Sequence, residues 1–517
     1  MIVHRQVSRT VSTKGVLAGT ADPLTFLIEF GEIEAARADQ LCPAEDALEP
    51  ELQRLREISR EAGRAFVAGR PVNADLSGLH LPRQIEIFVP GGYAWYALSP
   101  ESYIEPAKWL WRDRQPLHAV VIGIRGIGTS LSAVVGAVLE QRGCRVESFT
   151  VRPHGHPFQR ELRLGDELRD ALTKTSRALY VVVDDGPGPS GSSFASVAEA
   201  LSALGIADDR IVLMPSSMPD GSGFVSRGAA ARWRIHEKYA ASSALPAGAR
   251  IDFSSGNWRA AFYRDDSQYP AVQPQHETAK FLSAEGMVRF AGLGRYGHEK
   301  LTRARLLAEA RFSPRAIALE NGWLTMDFIP GKPLTLDALN DDLLDFIARY
   351  IAFRRQAFRT GEFARTAELA EMIRVNLGIR VARPPKSEAV VVDGRMMPHE
   401  WVSTRGGILK TDALDHGDNH FLPGPTDICW DLAGAIIEWR LDDREREQLL
   451  KRYAHHSGDR RAPGRLPFYL AAYAAFRAGY TQLALTALPP SPDRRRFERL
   501  HQHYLSAIEK QEAAAAR

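Results

Sequence analysis

Between residues 117 and 215, short apolar runs alternate with segments that have the residue spacing of helices. The run LHAVVIGI ends in a glycine turn and is followed by SLSAVVGAVLEQRG, while CRVESFTV, ALYVVVDD and RIVLMPS are further runs of the first kind. Strands that are apolar throughout are buried on both faces, and helices between such strands connect them in parallel. The alternation therefore predicts an α/β domain whose parallel sheet is covered on both faces.

The composition of the 517 residues is globular, with 44% hydrophobic and 25% charged residues, which excludes a disordered or fibrous chain. The net charge of +3 predicts no obligatory nucleic-acid partner. The three cysteines form no CxxC pair, and the longest apolar runs are strand-sized, so we expect neither a disulfide scaffold nor a membrane span. The first residues lack the apolar stretch of a secretory signal, and we expect a cytoplasmic protein.

The pattern changes after about residue 240. AASSALPAG and DSQYPAVQPQ are rich in turn residues. Beyond them, short strand candidates lead into long helical segments at 341–360 and 433–454. We therefore predict two domains, 1–245 and 246–517, the second with a small strand-rich lobe and a larger helical lobe.

Two adjacent carboxylates follow one of the apolar runs. In VVVDDGPGPSGSS, Asp184 and Asp185 stand at the carboxyl end of a strand, where ligands bind in open α/β sheets. The loop that follows opens a helix and offers backbone N–H groups and hydroxyls to an anion, through Ser190, Gly191, Ser192 and Ser193. Carboxylates beside such a loop suit the hydroxyls and phosphate of a ribose 5-phosphate. The alternative is an acidic turn followed by a serine N-cap.

This segment resembles the strand, acidic pair and loop with which type I phosphoribosyltransferases bind 5-phosphoribosyl 1-diphosphate (PRPP). The loop here is one residue longer before Gly191 and contains two prolines. Upstream, VVIGIRGIGTS resembles the family's diphosphate-binding loop, which implies phosphate contacts from Arg125, Gly126, Gly128 and Thr129. Between the two segments, RPHGHPFQR stands in the place of the family's mobile basic loop and supplies Arg152 and Arg160.

The resemblance implies a PRPP-dependent transferase. Diphosphate would leave the anomeric carbon with the help of Mg²⁺, while Asp184 and Asp185 orient the sugar and stabilise its developing positive charge. Arg125 would counter the charge of the diphosphate. Residues 1–90 would contain the hood that recognises the acceptor, and about 90–240 would form the core.

The second half of the chain contains LKTD and PTDICWDLAG but no Walker loop. These segments resemble the aminoglycoside phosphotransferase and protein-kinase-like group, in which a strand carries a metal-binding aspartate and a later Asp-Leu-Ala helix braces the catalytic loop. The resemblance implies that Asp412 holds Mg²⁺ and that Asp431 is structural. Arg289 stands at the position of the family's lysine, and Glu309 lies on the helix that follows it.

The catalytic loop of that family, His-Gly-Asp followed by Asn, is not recognisable before Asp412. The best candidates there are Asp393 for the catalytic aspartate and Glu400 for the metal-binding asparagine. A literal His-Gly-Asp-Asn occurs at 416–419, but it leaves too little chain for a metal-bearing strand before Asp427. We therefore favour Asp412 as the metal ligand.

Together the two resemblances predict a glycosyltransferase of the phosphoribosyltransferase type, acting on a small nucleophile or base, with a fused ATP-binding phosphotransferase domain. Its expected cofactor is Mg²⁺, its co-substrates are PRPP and ATP, and a homodimer is compatible with it. The rival hypothesis is a regulatory or sensor protein that binds PRPP and nucleotides, with a pseudokinase domain and no turnover.

Overall fold

The computed structural model describes residues 1–156, 158–174, 177–188, 190–242, 245–246 and 248–515. The chain divides into two compact units. The N-terminal unit contains Ser8–Leu245 and Gly292–Tyr296, and the C-terminal unit contains Met1–Val7, Pro246–Ala291 and Gly297–Arg517. These units differ from the predicted domains 1–245 and 246–517 in two short segments: Met1–Val7 is grouped with the C-terminal unit and Gly292–Tyr296 with the N-terminal unit.

The N-terminal unit contains nine strands and nine helices among its described residues. The strands are β1 (Ser8–Ser12), β2 (Gln84–Phe88), β3 (His118–Ile124), β4 (Arg145–Val151), β5 (His154–His156), β6 (Gln159–Glu161), β7 (Leu179–Val183), β8 (Ile211–Met214) and β9 (Glu237–Lys238). The helices are α1 (Thr13–Leu17), α2 (Pro23–Leu41), α3 (Pro50–Val67), α4 (Gly91–Ala94), α5 (Ile104–Arg114), α6 (Ile127–Gln141), α7 (Asp166–Thr173), α8 (Ser192–Ala203) and α9 (Arg227–Ile235).

The predicted parallel sheet is confirmed. Five strands lie in the order β4-β3-β7-β8-β9, and every neighbouring pair is parallel. The central strand β7, LYVVV, is buried at all five positions, as is most of β3. Because β3 lies between β4 and β7, the strand order reverses at the β3–β7 pair, which is where an open α/β sheet forms a ligand crevice.

The C-terminal unit contains the remaining described elements. Its strands are β10 (Ile251–Asp252), β11 (Lys280–Leu282), β12 (Met287–Phe290), β13 (Ala316–Glu320), β14 (Trp323–Met326), β15 (Lys332–Pro333), β16 (Arg359–Phe363), β17 (Glu388–Val390), β18 (Trp401–Thr404) and β19 (Gly407–Lys410). Its helices are α10 (Arg259–Phe262), α11 (Arg295–Glu309), α12 (Asp341–Ala357), α13 (Thr366–Leu377), α14 (Cys429–Glu438), α15 (Asp443–Ser457), α16 (Ala462–Ala487) and α17 (Pro492–Ala515).

An antiparallel sheet and a group of helices make up this unit. The sheet has the order β10-β11-β12-β14-β13, and a smaller sheet has the order β15-β18-β19. The helices α12, α14 and α16 carry long apolar faces into one continuous core. The helix α12 begins with Asn340 as its N-cap, whose side chain accepts a hydrogen bond from the Leu343 N–H at 2.9 Å. In the part of the chain that is described, no helix is both long and apolar enough to cross a membrane.

The predicted brace by Asp431 is present. Its carboxylate, at the start of α14, accepts the backbone N–H groups of Asp393 at 2.8 Å and of Gly394 at 3.0 Å. The guanidinium of Arg354 on α12 lies 3.8 Å from the same carboxylate. All of these groups are buried, so the segment after β17 is fixed between two helices by charge-assisted hydrogen bonds.

We expect Asp431→Ala to lower the free energy of unfolding of the C-terminal unit by about 3–5 kcal/mol. The change leaves two buried N–H groups without their acceptor and removes the carboxylate that lies 3.8 Å from the buried Arg354 guanidinium. Urea unfolding followed by tryptophan fluorescence measures the loss. The matched control is Glu371→Ala, which removes an exposed carboxylate paired with Arg374 and should leave the unfolding midpoint nearly unchanged. Equal midpoints for Asp431→Ala and wild type would contradict the brace.

Candidate functional site

Two adjoining cavities open in the C-terminal unit. The first, which we call the hinge cavity, is lined by Met287, Met326 and Val402 and has a volume of about 120 Å³. The second, which we call the inner cavity, is lined by Phe421, Phe476 and Tyr480 and has a volume of about 110 Å³. Seven residues line both cavities: Trp258, Glu277, Lys280, Arg289, Arg395, His399 and Asp412. We call these seven shared residues the junction. Most of them are charged or polar, so a ligand that occupies both cavities contacts polar groups between them.

The far wall of the hinge cavity is apolar. Met287 on β12, Met326 on β14 and Val402 on β18 line it, together with the apolar residues 328–329 that follow β14. Apolar surfaces around a few placed polar groups are the usual lining of a small-molecule site. This wall therefore suits a flat, weakly polar group, and the polar junction suits a charged one.

Two carboxylates predicted as metal ligands meet at this junction. Glu400 stands just before β18 and Asp412 just after β19, and the β18–β19 hairpin pairs Trp401 with Lys410. The hairpin is extended by a hydrogen bond from the Thr411 N–H to the Glu400 carbonyl at 2.9 Å. As a result, single ligand atoms of Glu400, Asp412 and His416 lie within 4.8 Å of one another.

Arginine side chains surround these carboxylates. Arg289 on β12 donates to Asp412 at 3.1 Å and to both oxygens of Asp415 at 2.7 and 2.6 Å. Arg395 donates to Glu400 and, at 3.2 Å, to Asp412. Burial alone would raise the carboxyl pKa values, but Arg395 and Lys410 lower the pKa of Glu400 to about 2. Burial would raise the pKa of Asp412 as well, but the charges of His416, Arg289, Lys280 and Arg395 hold it well below its usual range.

A buried lysine, Lys410, donates hydrogen bonds to both predicted metal ligands. Lys410 has no exposed surface, and its ammonium group donates to Glu400 Oε2 at 2.8 Å and to the Asp412 carbonyl at 2.7 Å. It also lies 3.4 Å from the Asp393 carboxylate. One cation therefore connects the segment after β17 with both ends of the hairpin.

The structure places two of the predicted kinase-like residues away from the cavities. Asp393 is 1% exposed and accepts hydrogen bonds from the Tyr350 hydroxyl and from Lys410, so we reassign it from proton transfer to positioning. Glu309, at the end of α11, lines a separate cavity beside Arg305 and Arg311. The acidic partners of Arg289 are Asp412 and Asp415 instead.

Sequence reasoning missed three cationic or imidazole groups at this junction. Lys280 is on the short strand β11, His416 is in the literal motif that we set aside, and Arg395 follows Asp393 by two residues. The sequence offers a signal only for His416. The Asp418 of that motif pairs instead with Arg303 of α11 at 2.7 Å.

A second polar site lies at the switch point of the N-terminal sheet. The loop between β3 and α6 and the loop between β7 and α8 meet there. A Cβ added to Gly128 would lie 2.5 Å from the Val183 carbonyl oxygen and 3.3 Å from Asp184 Oδ1, so only glycine permits this approach. The predicted glycine turn and the predicted acid pair are thus neighbours.

Asp184 and Asp185 are half-buried, and among the described residues no arginine or lysine forms an ion pair with them. Burial, followed by the mutual repulsion with Asp185, raises the pKa of Asp184 well above its usual range, and burial also raises the pKa of Asp185. The charge of Arg152 lies close enough to oppose the shift of Asp184. Two like charges in such a place favour a ligand that brings hydrogen-bond donors or positive charge.

The loop that follows the pair has the conformation of a helix entry. Gly191 adopts φ +63°, and a Cβ there would lie 2.5 Å from the ring of Phe224, so glycine is required on both counts. Ser192 and Ser193 begin α8, and the Ser190 and Ser192 hydroxyls are 3.0 Å apart. Backbone N–H groups at such a helix start attract anions.

The basic residues predicted for this site divide into two groups. Arg125 is 3% exposed and is bonded to Asp46 and, at 3.0 Å, to Asp39. Its charge is neutralised, so we reassign Arg125 from diphosphate binding to holding these two acids. Arg152 also pairs with Asp39, at 2.6 Å, while Arg160 lies near Asp184 and donates to a backbone carbonyl.

Of the predicted turn residues, Gly126 lines a small cavity, whereas Thr129 is fully buried.

Comparison with known proteins gives partial likenesses only. No family model and no curated protein matches the chain. Solved structures similar to about 45% of the chain include kinases for choline or ethanolamine. They include a choline/ethanolamine kinase family protein from Mesorhizobium loti, with 16% identity over 45% of this chain and 89% of that chain and a TM-score of 0.30. A second is the choline kinase LicA from Streptococcus pneumoniae, with 15% identity over 44% of this chain and 89% of that chain and a TM-score of 0.30. A third is a choline kinase from Cryptosporidium parvum Iowa II, with 11% identity over 50% of this chain and 96% of that chain and a TM-score of 0.32. Likenesses at this level do not bear on substrate or activity.

We expect Asp185→Asn to stabilise the N-terminal unit at high pH. A carboxyl whose pKa is raised by folding contributes stability at low pH and loses it as the pH rises through the folded-state pKa. An amide is neutral throughout and can donate to Asp184. Thermal unfolding should show a midpoint higher than that of wild type by roughly 3 °C at pH 8 and little difference at pH 5. The control Glu101→Gln changes an exposed carboxylate and should shift neither midpoint. Parallel pH profiles for Asp185→Asn and wild type would contradict a raised pKa.

Proposed function

We propose that the C-terminal unit binds a nucleoside triphosphate with Mg²⁺ and transfers its terminal phosphoryl group to a small-molecule acceptor. The observation that carries this proposal is the pair of ionised carboxylates, Glu400 and Asp412, at the junction of the two cavities. A phosphoryl-transfer site needs acids for a cation, cations for phosphates, and separate room for the base and for the acceptor.

Each part of a nucleotide has a matching surface in the proposal. The base occupies the apolar wall of the hinge cavity, between Met287 and Val402. The phosphates lie at the junction, where Lys280 and Arg289 supply positive charge. The acceptor occupies the inner cavity, whose lining includes the aromatic rings of Phe421, Phe476 and Tyr480.

The residues present fit a magnesium ion. Carboxylate oxygens are the ligands that Mg²⁺ prefers, and the low pKa values of Glu400 and Asp412 keep both carboxylates ionised at neutral pH. When bound, the ion supplies charge neutralisation at the phosphate oxygens. The protein's own contribution is to position the two substrates and to exclude water.

In the transfer step the acceptor oxygen or nitrogen forms a bond to the terminal phosphorus while the bond to the bridging oxygen breaks. The nucleoside diphosphate leaves with the electron pair of that bond, and the acceptor's proton passes to an oxygen of the transferred phosphoryl group. Phosphoryl transfer of this kind depends mainly on positioning and on electrostatic stabilisation. A buried Asp393 is therefore compatible with turnover, since it holds Lys410 and through it Glu400 in place.

Asp412→Asn should abolish the dependence of nucleotide binding on the cation. In wild type, titration calorimetry with ATP should show binding that Mg²⁺ strengthens by roughly tenfold or more, because the ion bridges carboxylates and phosphates. In the variant, Mg²⁺ should make no difference. The control Asp184→Asn changes a carboxylate of the other unit and should retain the wild-type response. An Asp412→Asn protein that still gains affinity from Mg²⁺ would contradict the assignment.

Turnover distinguishes the proposal from the sensor hypothesis. ³¹P NMR of wild type with ATP, Mg²⁺ and a panel of small alcohols and amines should show a new phosphate ester or phosphoramidate. Binding of ATP without any consumption across the panel would favour the sensor. No binding at millimolar ATP and Mg²⁺ would contradict both the phosphotransferase proposal and the sensor hypothesis for the C-terminal unit.

We also propose that the N-terminal unit binds PRPP at its switch point. The observation that favours this second function is the meeting of the glycine turn at Gly128 with the acid pair at Asp184 and Asp185. In the proposal the acids bind the ribose hydroxyls, Gly191 and the start of α8 hold the 5-phosphate, and Arg160 approaches the diphosphate. The acceptor is a small nucleophile or base.

The double variant Asp184→Asn, Asp185→Asn should lose PRPP binding. The amides keep the shape of the carboxylates but remove the negative charge that faces the sugar and any bound cation. Calorimetry with PRPP and Mg²⁺ should show at least a tenfold weaker interaction, and release of diphosphate should fall with it. Asp412→Asn serves as the control and should bind PRPP as wild type does. Unchanged PRPP affinity in the double variant would contradict the site.

A further inference from the structure

One arginine occupies the space between the two carboxylates proposed to hold the cation. Arg395 donates through Nε to Glu400 Oε1 and through Nη2 to Asp412 Oδ2, the latter at 3.2 Å. Its side chain is 26% exposed and lines both cavities. The guanidinium thus makes the contacts with these acids that a metal ion would make.

The carboxylates at the junction are paired without a metal ion. Among the described residues, Arg395 and Lys410 form ion pairs with Glu400, and Arg289 and Arg395 form ion pairs with Asp412. A divalent cation that entered alone would add two positive charges beside these pairs in a largely buried place, which is strongly unfavourable.

We infer that Arg395 is the resident counter-charge of Glu400 and Asp412, and that the divalent cation enters only when a nucleotide's phosphates draw this guanidinium away. The inference rests on the proposed function and deepens it. Guanidinium groups bind phosphates in the same forked geometry with which they bind carboxylates. After the exchange, Arg395 is paired with the phosphates and the two carboxylates are paired with the divalent cation. The negative charge of the phosphates offsets the positive charge of the cation.

Mutual dependence of the two ligands follows from this exchange. If nucleotide strengthens cation binding by some factor, the cation must strengthen nucleotide binding by the same factor. Arg395 is a positioning and gating residue in this scheme. The acid site should be nearly silent toward a divalent cation until the nucleotide is present.

Mn²⁺ is the probe, because the free ion is counted directly by its electron paramagnetic resonance signal. Wild type without nucleotide should bind Mn²⁺ only at millimolar concentration. Arg395→Gln should bind Mn²⁺ alone roughly tenfold more tightly or better, because it removes a cation that is paired with both carboxylates. Arg395→Lys keeps one positive charge and should restore the weak binding of wild type. The control Arg374→Gln removes an exposed arginine paired with Glu371 and should leave Mn²⁺ binding unchanged.

A second variant assigns the signal to the site. The double variant Arg395→Gln, Asp412→Asn should lose the gain in Mn²⁺ affinity. A gain that survives in the double variant, or equal Mn²⁺ affinity in wild type and Arg395→Gln, overturns the inference. If Arg395→Gln does not fold, wild type decides instead. The same protein titrated with Mn²⁺ at zero and at saturating ATP must show about a tenfold shift or more, and equal affinities overturn the inference.

These outcomes are distinguishable from a failure of the proposed function. Arg395→Gln is tested with Mn²⁺ alone, without nucleotide or acceptor. If no variant binds ATP while Arg395→Gln gains Mn²⁺ affinity, the nucleotide proposal fails but the role of Arg395 as counter-charge stands. If ATP binds to wild type equally with and without Mn²⁺, nucleotide binding stands and the exchange is wrong.

Discussion

The buried ammonium group of Lys410 is the interaction on which the C-terminal site depends. It has no contact with solvent, and it donates to the Glu400 carboxylate and to the Asp412 carbonyl while it faces Asp393. Three segments that are separate in sequence are thereby held around one positive charge. A buried cation of this kind is retained only where acids surround it, because an unpaired one costs several kcal/mol. The brace from Asp431 to the Asp393 and Gly394 N–H groups holds the same segment from the other side.

The two units place carboxylates in opposite electrostatic conditions. In the C-terminal unit, arginine and lysine side chains outweigh burial and lower the pKa values of Glu400 and Asp412. In the N-terminal unit, burial and mutual repulsion dominate and raise the pKa of Asp184. In the first arrangement both carboxylates are already paired with cations, so a metal ion can be taken up only if those partners are exchanged. The second is unbalanced, and a ligand with hydroxyl groups or bound metal would relieve it. Perturbed carboxyl groups of both kinds are typical of functional sites.

The sequence allowed the parallel sheet to be predicted because strands buried on both faces are apolar at every position, as in β3 and β7. The meeting of Gly128 with Asp184 followed from the same cause, since parallel strands end at one edge of their sheet. Asp412, Glu400 and Asp431 could be chosen by resemblance to a kinase-like motif; the structure brings Glu400 and Asp412 together, and their role as metal ligands stays a prediction. The partners of Arg289, Arg395 and Arg125 could not be predicted, because an ion pair between distant segments is set by tertiary packing. Nor does spacing show that residues 1–7 belong to the C-terminal unit, where the Val3 carbonyl accepts a hydrogen bond from the Leu422 N–H.

The most direct test of this account is a crystal structure of the full chain grown with Mn²⁺ and a non-hydrolysable ATP analogue, with anomalous scattering recorded to locate the metal. The account predicts a Mn²⁺ peak in contact with the Glu400 and Asp412 carboxylates. It also predicts that the Arg395 guanidinium has turned from these acids to the phosphates, with the base against Met287 and Val402. A nucleotide bound in the hinge cavity with Arg395 still between the two carboxylates and no anomalous peak there would contradict it.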